Sequence, residues 1–97
     1  TGVKYPYPVY RQVVVREFIV GGMENTSITI LTDRSLLDKH ARKDVWSEGL
    51  LSHELSHQWF GDLVTCRDWS QIWLNESFAT FMADLYFRHW RGLDDFI

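Results

Sequence analysis

One cysteine in 97 residues, Cys66, is too few for an internal disulfide or for a metal site built on thiolates. A small buried or half-buried thiol is its expected role. No charge of one sign dominates. Ten Lys and Arg against thirteen Asp and Glu give a formal charge of −3 and a pI near 5.7. That balance excludes a general nucleic-acid or anionic-membrane surface. No apolar run approaches the length of a membrane span, and no signal peptide, internal repeat or low-complexity tract is visible. The expectation is a soluble chain whose compartment the sequence does not reveal. Proline is confined to Pro6 and Pro8, in a tyrosine-rich entry segment that reads as extended chain.

Apolar and aromatic residues are plentiful instead. They make up 45% and 15% of the chain, with five Trp and six Phe. The first residue is Thr1 rather than Met, and the sequence stops at Ile97 with no closing element. Together these features predict a piece of a larger core, a fragment of one catalytic domain spanning 1–97. The rest of the parent chain would be its covalent partner.

Three regions follow from local pattern. Within the strand region, 1–35, Gln12 to Val20 is rich in β-branched and aromatic residues and reads as a strand. Gly21 and Gly22 stop or bend it, and Ser27 to Leu31 alternates like a second strand. Residues 36–44 are charged and read as surface, with His40 solvated. A first helix is expected over about 44–61, with Asp44 as N-cap and Gly61 beyond its end. A second is expected over about 70–90, ending before Gly92, and it is apolar on too many sides for a single stripe. The fold class is therefore α+β, a short strand pair followed by two packed helices.

The first helix carries His53-Glu54-Leu55-Ser56-His57. Positions i and i+4 share one helical face, so both imidazoles can reach one Zn²⁺ at roughly 2.0–2.1 Å. Glu54 points about 100° around the helix from His53, close enough to act on a zinc-bound water without being a ligand. Glu76 follows His57 by nineteen positions and lies in the second helix. If the helices pack together, it can face the two histidines as a third ligand. Its apolar neighbours Trp73, Leu74 and Phe78 argue that it is buried, and a buried carboxylate needs a cation. Three protein ligands leave a zinc position open for catalysis. Gly21-Gly22-Met23-Glu24-Asn25 is the second feature. Paired glycines let another backbone approach, so a substrate strand can pair there. Glu24 beside them can hold a positive group and so select a free N-terminus.

These motifs together resemble the aminopeptidase N family of zinc metallopeptidases, the gluzincins that include leukotriene A4 hydrolase. The residues carrying the resemblance are Gly21 to Asn25, His53 to His57 and Glu76, with His57 to Thr65 and Trp73 to Ala79 around them. The resemblance implies a segment of a thermolysin-like catalytic domain, one zinc per active site and peptide substrates with a free N-terminus. It implies His53, His57 and Glu76 as metal ligands and Glu54 as general base. Glu24 would bind the α-ammonium, and Gly21, Gly22 and Met23 would line the peptide backbone. The family's oxyanion tyrosine would lie beyond Ile97, so the fragment alone is expected to be inactive. Three positions depart from the pattern. Gly22 stands where many aminopeptidases have Ala, and Ser77 where Gly is common. Ala83 stands where many relatives place an acidic residue that supports a zinc histidine, with Asp84 beside it. The resemblance also admits an epoxide hydrolase of the leukotriene A4 hydrolase type, or an inactive scaffold relative.

Overall fold

The computed structural model describes residues 1–36 and 45–93. The expected surface segment beyond Leu36, with His40, and the expected N-cap Asp44 lie outside the described residues. Three strands form one sheet in the order β1-β3-β2: β1 is Arg11–Val15, β2 is Gly22–Met23 and β3 is Ile28–Thr32. The central strand β3 is the buried one, with Thr29, Leu31 and Thr32 almost fully enclosed. β1 runs parallel to it, Arg11 opposite Ile28 and Val15 opposite Thr32. β2 runs antiparallel, Gly22 opposite Leu31 and Met23 opposite Ile30. The long strand expected over Gln12 to Val20 ends early. Glu17 adopts a left-handed φ of 54°, which breaks the extended chain, so Phe18, Ile19 and Val20 lie outside any strand.

The two helices follow. α1 spans Val45–Ser56 and α2 spans Ile72–Arg91. α1 ends four residues earlier than the sequence suggests because its last turn tightens. The Gln58 and Trp59 amides reach back three residues, to the carbonyls of Leu55 and Ser56. The His57 amide still bonds the His53 carbonyl at 3.2 Å, so the one-turn relation between the two histidines survives past the helix end. α2 opens through a short 3-10 turn over Trp69–Gln71, where the Asp68 side chain accepts from the Ser70 amide at 3.0 Å. Gly92, with φ of 100°, ends it.

The helices pack antiparallel. Arg91 of α2 pairs with Glu48 at the start of α1 at 2.6 Å. Phe87 lies over Gly49, Thr80 meets His53, and Glu76 reaches His57. The buried residues of α2 are Ala79, Ala83 and Phe87, spaced four apart on one stripe. Small side chains there let the two backbones come close. Beyond α1, Phe60 stacks on Phe78 with ring centroids 5.1 Å apart. Cys66 is half-buried, as its isolation in the sequence suggested. No described helix is long and apolar enough to cross a membrane.

The remaining apolar residues of α2 are not buried, contrary to the expectation of a largely enclosed helix. Trp73, Phe78, Phe81, Tyr86 and Trp90 are all exposed, Trp90 by 71%. Val13, Val14 and Val15 of β1 are exposed as well. Large contiguous apolar patches on a lone domain drive association. The isolated 97-residue chain is accordingly expected to bind a hydrophobic dye and to self-associate at micromolar concentration. A monodisperse, dye-silent monomer in sedimentation velocity would contradict this.

Candidate metal centre

The end of α1 and the second turn of α2 bring three donor atoms together. His53 Nε2 and His57 Nε2 are 3.1 Å apart. Glu76 Oε2 lies 3.3 Å from the first and 3.4 Å from the second. Tetrahedral ligands with bonds of roughly 2.0–2.1 Å stand about 3.3–3.4 Å from one another, so the three atoms already have the spacing of ligands to one ion. The described residues contain one such group of His, Cys, Asp and Glu, and it is this one.

The other ring nitrogens prepare the histidines for that role. His57 Nδ1 lies 3.0 Å from the Phe60 carbonyl. A carbonyl can only accept, so Nδ1 carries the proton and Nε2 is left with its lone pair toward Glu76. Gly61 makes this possible. Its φ of 136° turns the chain back, and a Cβ there would stand 3.3 Å from His57 Nδ1. His53 Nδ1 lies 3.3 Å from the Thr80 hydroxyl. Burial lowers the His53 pKa, with help from His57 and against the pull of Glu76. A neutral His53 is the form that binds a metal.

Glu54 is expected beside the ligands, and it is 5% exposed there, with Oε2 buried and unpartnered. Burial first, and then the negative charge of Glu24, raise its pKa to about 7, while His57 opposes the shift. A carboxyl group near neutrality can both take and return a proton at physiological pH. Gly22 explains how the sheet meets it. A Cβ at Gly22 would stand 2.5 Å from Glu54 Cδ and 2.7 Å from Cγ. Only a glycine lets β2 lie against this carboxyl group where it stands; an alanine would displace the side chain. Because β2 is an edge of the sheet, Gly22 and Met23 present unpaired backbone next to Glu54. Gly21 packs on Leu50 behind them.

Glu76 differs from expectation in one respect. Its side chain is 52% exposed rather than buried, because the described elements enclose the site from the α1 side only.

Three polar residues here escaped the sequence reading. Gln58 is fully buried and bonded to the Glu24–Ser27 loop. Thr80 bonds His53 from one turn beyond Glu76. Asp62 is close enough to Glu24 and His57 to feel both. Its pKa rises to about 6, chiefly through burial and then Glu24, with His57 and a Thr26 hydrogen bond opposing. A polar residue set between a metal histidine and two aromatics, as Gln58 is, was the available signal.

Two outcomes follow. Supporting side chains of metal histidines contribute about 10-fold to 10²-fold in metal affinity. In the full-length protein Thr80→Val should weaken zinc binding toward the lower end of that range, while Thr80→Ser should restore it; competition with a chelating dye measures this. In the fold the Asp62 carboxyl is pushed up to about 6 from its ordinary 3.8. The neutral form is thus favoured by folding, and stability falls as pH rises from about 4 to 6, with the full cost present above 6. Asp62→Asn should stabilise the full-length protein by about 1 kcal/mol at pH 8 after allowance for partial exposure. The gain should vanish near pH 4, and equal denaturation midpoints at both pH values would refute the account.

Comparison with known proteins places the chain. The model of the peptidase family M1 domain matches residues 1–95. "Probable aminopeptidase 2" of Sulfurisphaera tokodaii is 39% identical over 104 aligned positions, covering 99% of this chain and 13% of the relative. "Tricorn protease-interacting factor F2" of Thermoplasma acidophilum is 37% identical, again over 99% of this chain and 13% of the relative. "Aminopeptidase Ey" of Gallus gallus is 40% identical over 84% of this chain and 9% of its own length. The chain thus spans about an eighth of the first two relatives. With a family model covering nearly every residue and relatives from three kinds of organism in agreement, the chain belongs to peptidase family M1.

Proposed function

We propose that the protein is a zinc-dependent aminopeptidase, a hydrolase that removes N-terminal residues from peptides, and that these residues form its metal-binding core. The observation that carries the reading is the trio of His53 Nε2, His57 Nε2 and Glu76 Oε2, 3.1–3.4 Å from one another. A two-histidine, one-carboxylate set suits zinc and leaves a fourth position open. One zinc ion bound there would supply a Lewis acid and lower the pKa of water toward neutral.

The remaining work falls to side chains. Glu54 takes a proton from the attacking water and returns it to the leaving amine. Its pKa of about 7 suits both transfers. The unpartnered Oε2 is the natural acceptor. β2 offers its free edge to the substrate backbone, so that the peptide adds as a further strand. Gly22, lying against Glu54, puts that edge beside the base. Glu24 stands at the end of the edge and adds its charge to that around Glu54. It receives the terminal ammonium, which a peptide interior lacks. The preference for a free amine thus comes from a carboxylate left unsatisfied by any other substrate. The names of the relatives from Sulfurisphaera tokodaii and Gallus gallus agree with this reading.

Two measurements on the full-length enzyme test it. Glu54→Gln keeps shape but cannot accept the proton, so kcat should fall by about 10²–10⁴ with zinc still stoichiometric. Near-normal turnover with intact zinc removes Glu54 from the mechanism. A charge-assisted hydrogen bond to an ammonium is worth about 1.5–3 kcal/mol. The free-amine peptide should therefore be cleaved far faster than its N-acetyl form, and Glu24→Ala should cut kcat/KM for it by about 10-fold to 10²-fold. Equal rates on both peptides with wild-type enzyme would mark an endopeptidase.

A further inference from the structure

We propose that Gln58 is a positioning residue that fastens the ammonium-binding loop to the metal centre, setting the distance at which Glu24 meets the substrate's N-terminus. The inference rests on the reading of Glu24 given above.

Gln58 follows the metal ligand His57 directly and is fully buried. Both ends of its amide are used. Oε1 accepts from the Ser27 amide at 2.7 Å and from the Tyr5 hydroxyl at 3.4 Å. Nε2 donates to the carbonyls of Asn25 at 3.2 Å and Glu24 at 3.4 Å. Three of the four bonds are to backbone of one loop, and they add to the side-chain bond between Thr26 and Asp62. The loop needs such an anchor. Met23, Asn25 and Thr26 are exposed, and Ser27 holds a left-handed φ of 63°. A non-glycine residue keeps that conformation only when its surroundings hold it there. The Ser27 amide, fixed by Gln58, and the Ser27 carbonyl, which accepts from the Arg11 amide at 3.0 Å, are those holds.

The position of Gln58 gives this a functional sense. His57 and Gln58 are consecutive, so the ion and the loop are referenced to the same short stretch of backbone. Its carbonyls and amides are in turn locked, since the Asp62 amide bonds the His57 carbonyl at 3.0 Å and the Leu63 amide bonds that of Gln58 at 3.3 Å. An exopeptidase must hold its ammonium site one residue from the scissile bond. Here one side chain supplies that spacing. Without it Glu24 would still be present, but the loop would have to be ordered by each incoming substrate, a cost that appears in binding.

The test uses the full-length enzyme and the variant Gln58→Met, which keeps length and volume but loses all four hydrogen bonds. Zinc content and the melting temperature report whether the metal centre is intact. Loss of uniform binding raises KM and leaves kcat, so KM for a free-amine peptide should rise about 10-fold, kcat should stay within about threefold, and the preference over the N-acetyl peptide should shrink in proportion. Unchanged KM and unchanged preference overturn the proposal while leaving Glu24 in place. A wild-type enzyme indifferent to acetylation overturns the reading of Glu24 itself, before any variant is compared. If Gln58→Met loses zinc or fails to fold, amide exchange in the wild type decides. Ser27 should then be protected about 10²-fold or more over its neighbours Asn25 and Thr26, and exchange at their rate overturns the proposal.

Discussion

The antiparallel contact of α2 with α1 through Ala79 and Ala83 is the constraint on which the site depends. Neither helix alone holds three donors. His53 and His57 are set by one turn of α1, and Glu76 comes from a helix that must approach closely enough for a carboxylate to reach both rings. Two alanines on the facing stripe permit that approach, and Gly49 opposite Phe87 continues it. The position at which many relatives carry a supporting acid is one of these alanines. The seam thus uses for packing a place that could have served the metal, and Thr80, one turn nearer Glu76, meets His53 instead.

The second constraint is electrostatic. Glu24, Glu54, Asp62 and Glu76 all bear on one small region: burial raises the pKa of Glu54 and of Asp62, and the charge of Glu24 raises both further. Such a concentration of acids is costly for a fold by itself. It suits the two cations proposed above, a metal ion and a substrate ammonium, and it adds to the burial that brings Glu54 to about 7.

The candidate site was legible in the sequence because its parts are local. A one-turn histidine pair and a glutamate between them survive any modest change in fold, and the Gly-Gly-Met-Glu-Asn segment announces its backbone freedom by composition. The strand count was less legible. β2 is two residues of glycine and methionine, and only its pairing with Leu31 and Ile30 makes it a strand. The left-handed turn at Glu17 has no propensity signal, so the first strand looked longer than it is. Burial was misjudged for Glu76 and for the aromatic face of α2, because apolar neighbours in sequence say nothing of what covers them in space. The roles of Thr80 and, beyond the hint of its apolar setting, of Gln58 went unread for the complementary reason. Each acts through a residue about twenty-five or more positions away, and a single polar letter does not state its partner.

The brevity of β2 bears on aggregation. Unpaired strand edges invite edge-to-edge addition by other chains, the first step of β-type aggregation, and natural sheets blunt them by keeping them short. An edge of two residues, one of them glycine, offers too little ladder to recruit a neighbour's strand stably. A peptide pairing there, as proposed above, would need assistance at one end. The edge can therefore stay free without collecting neighbouring chains.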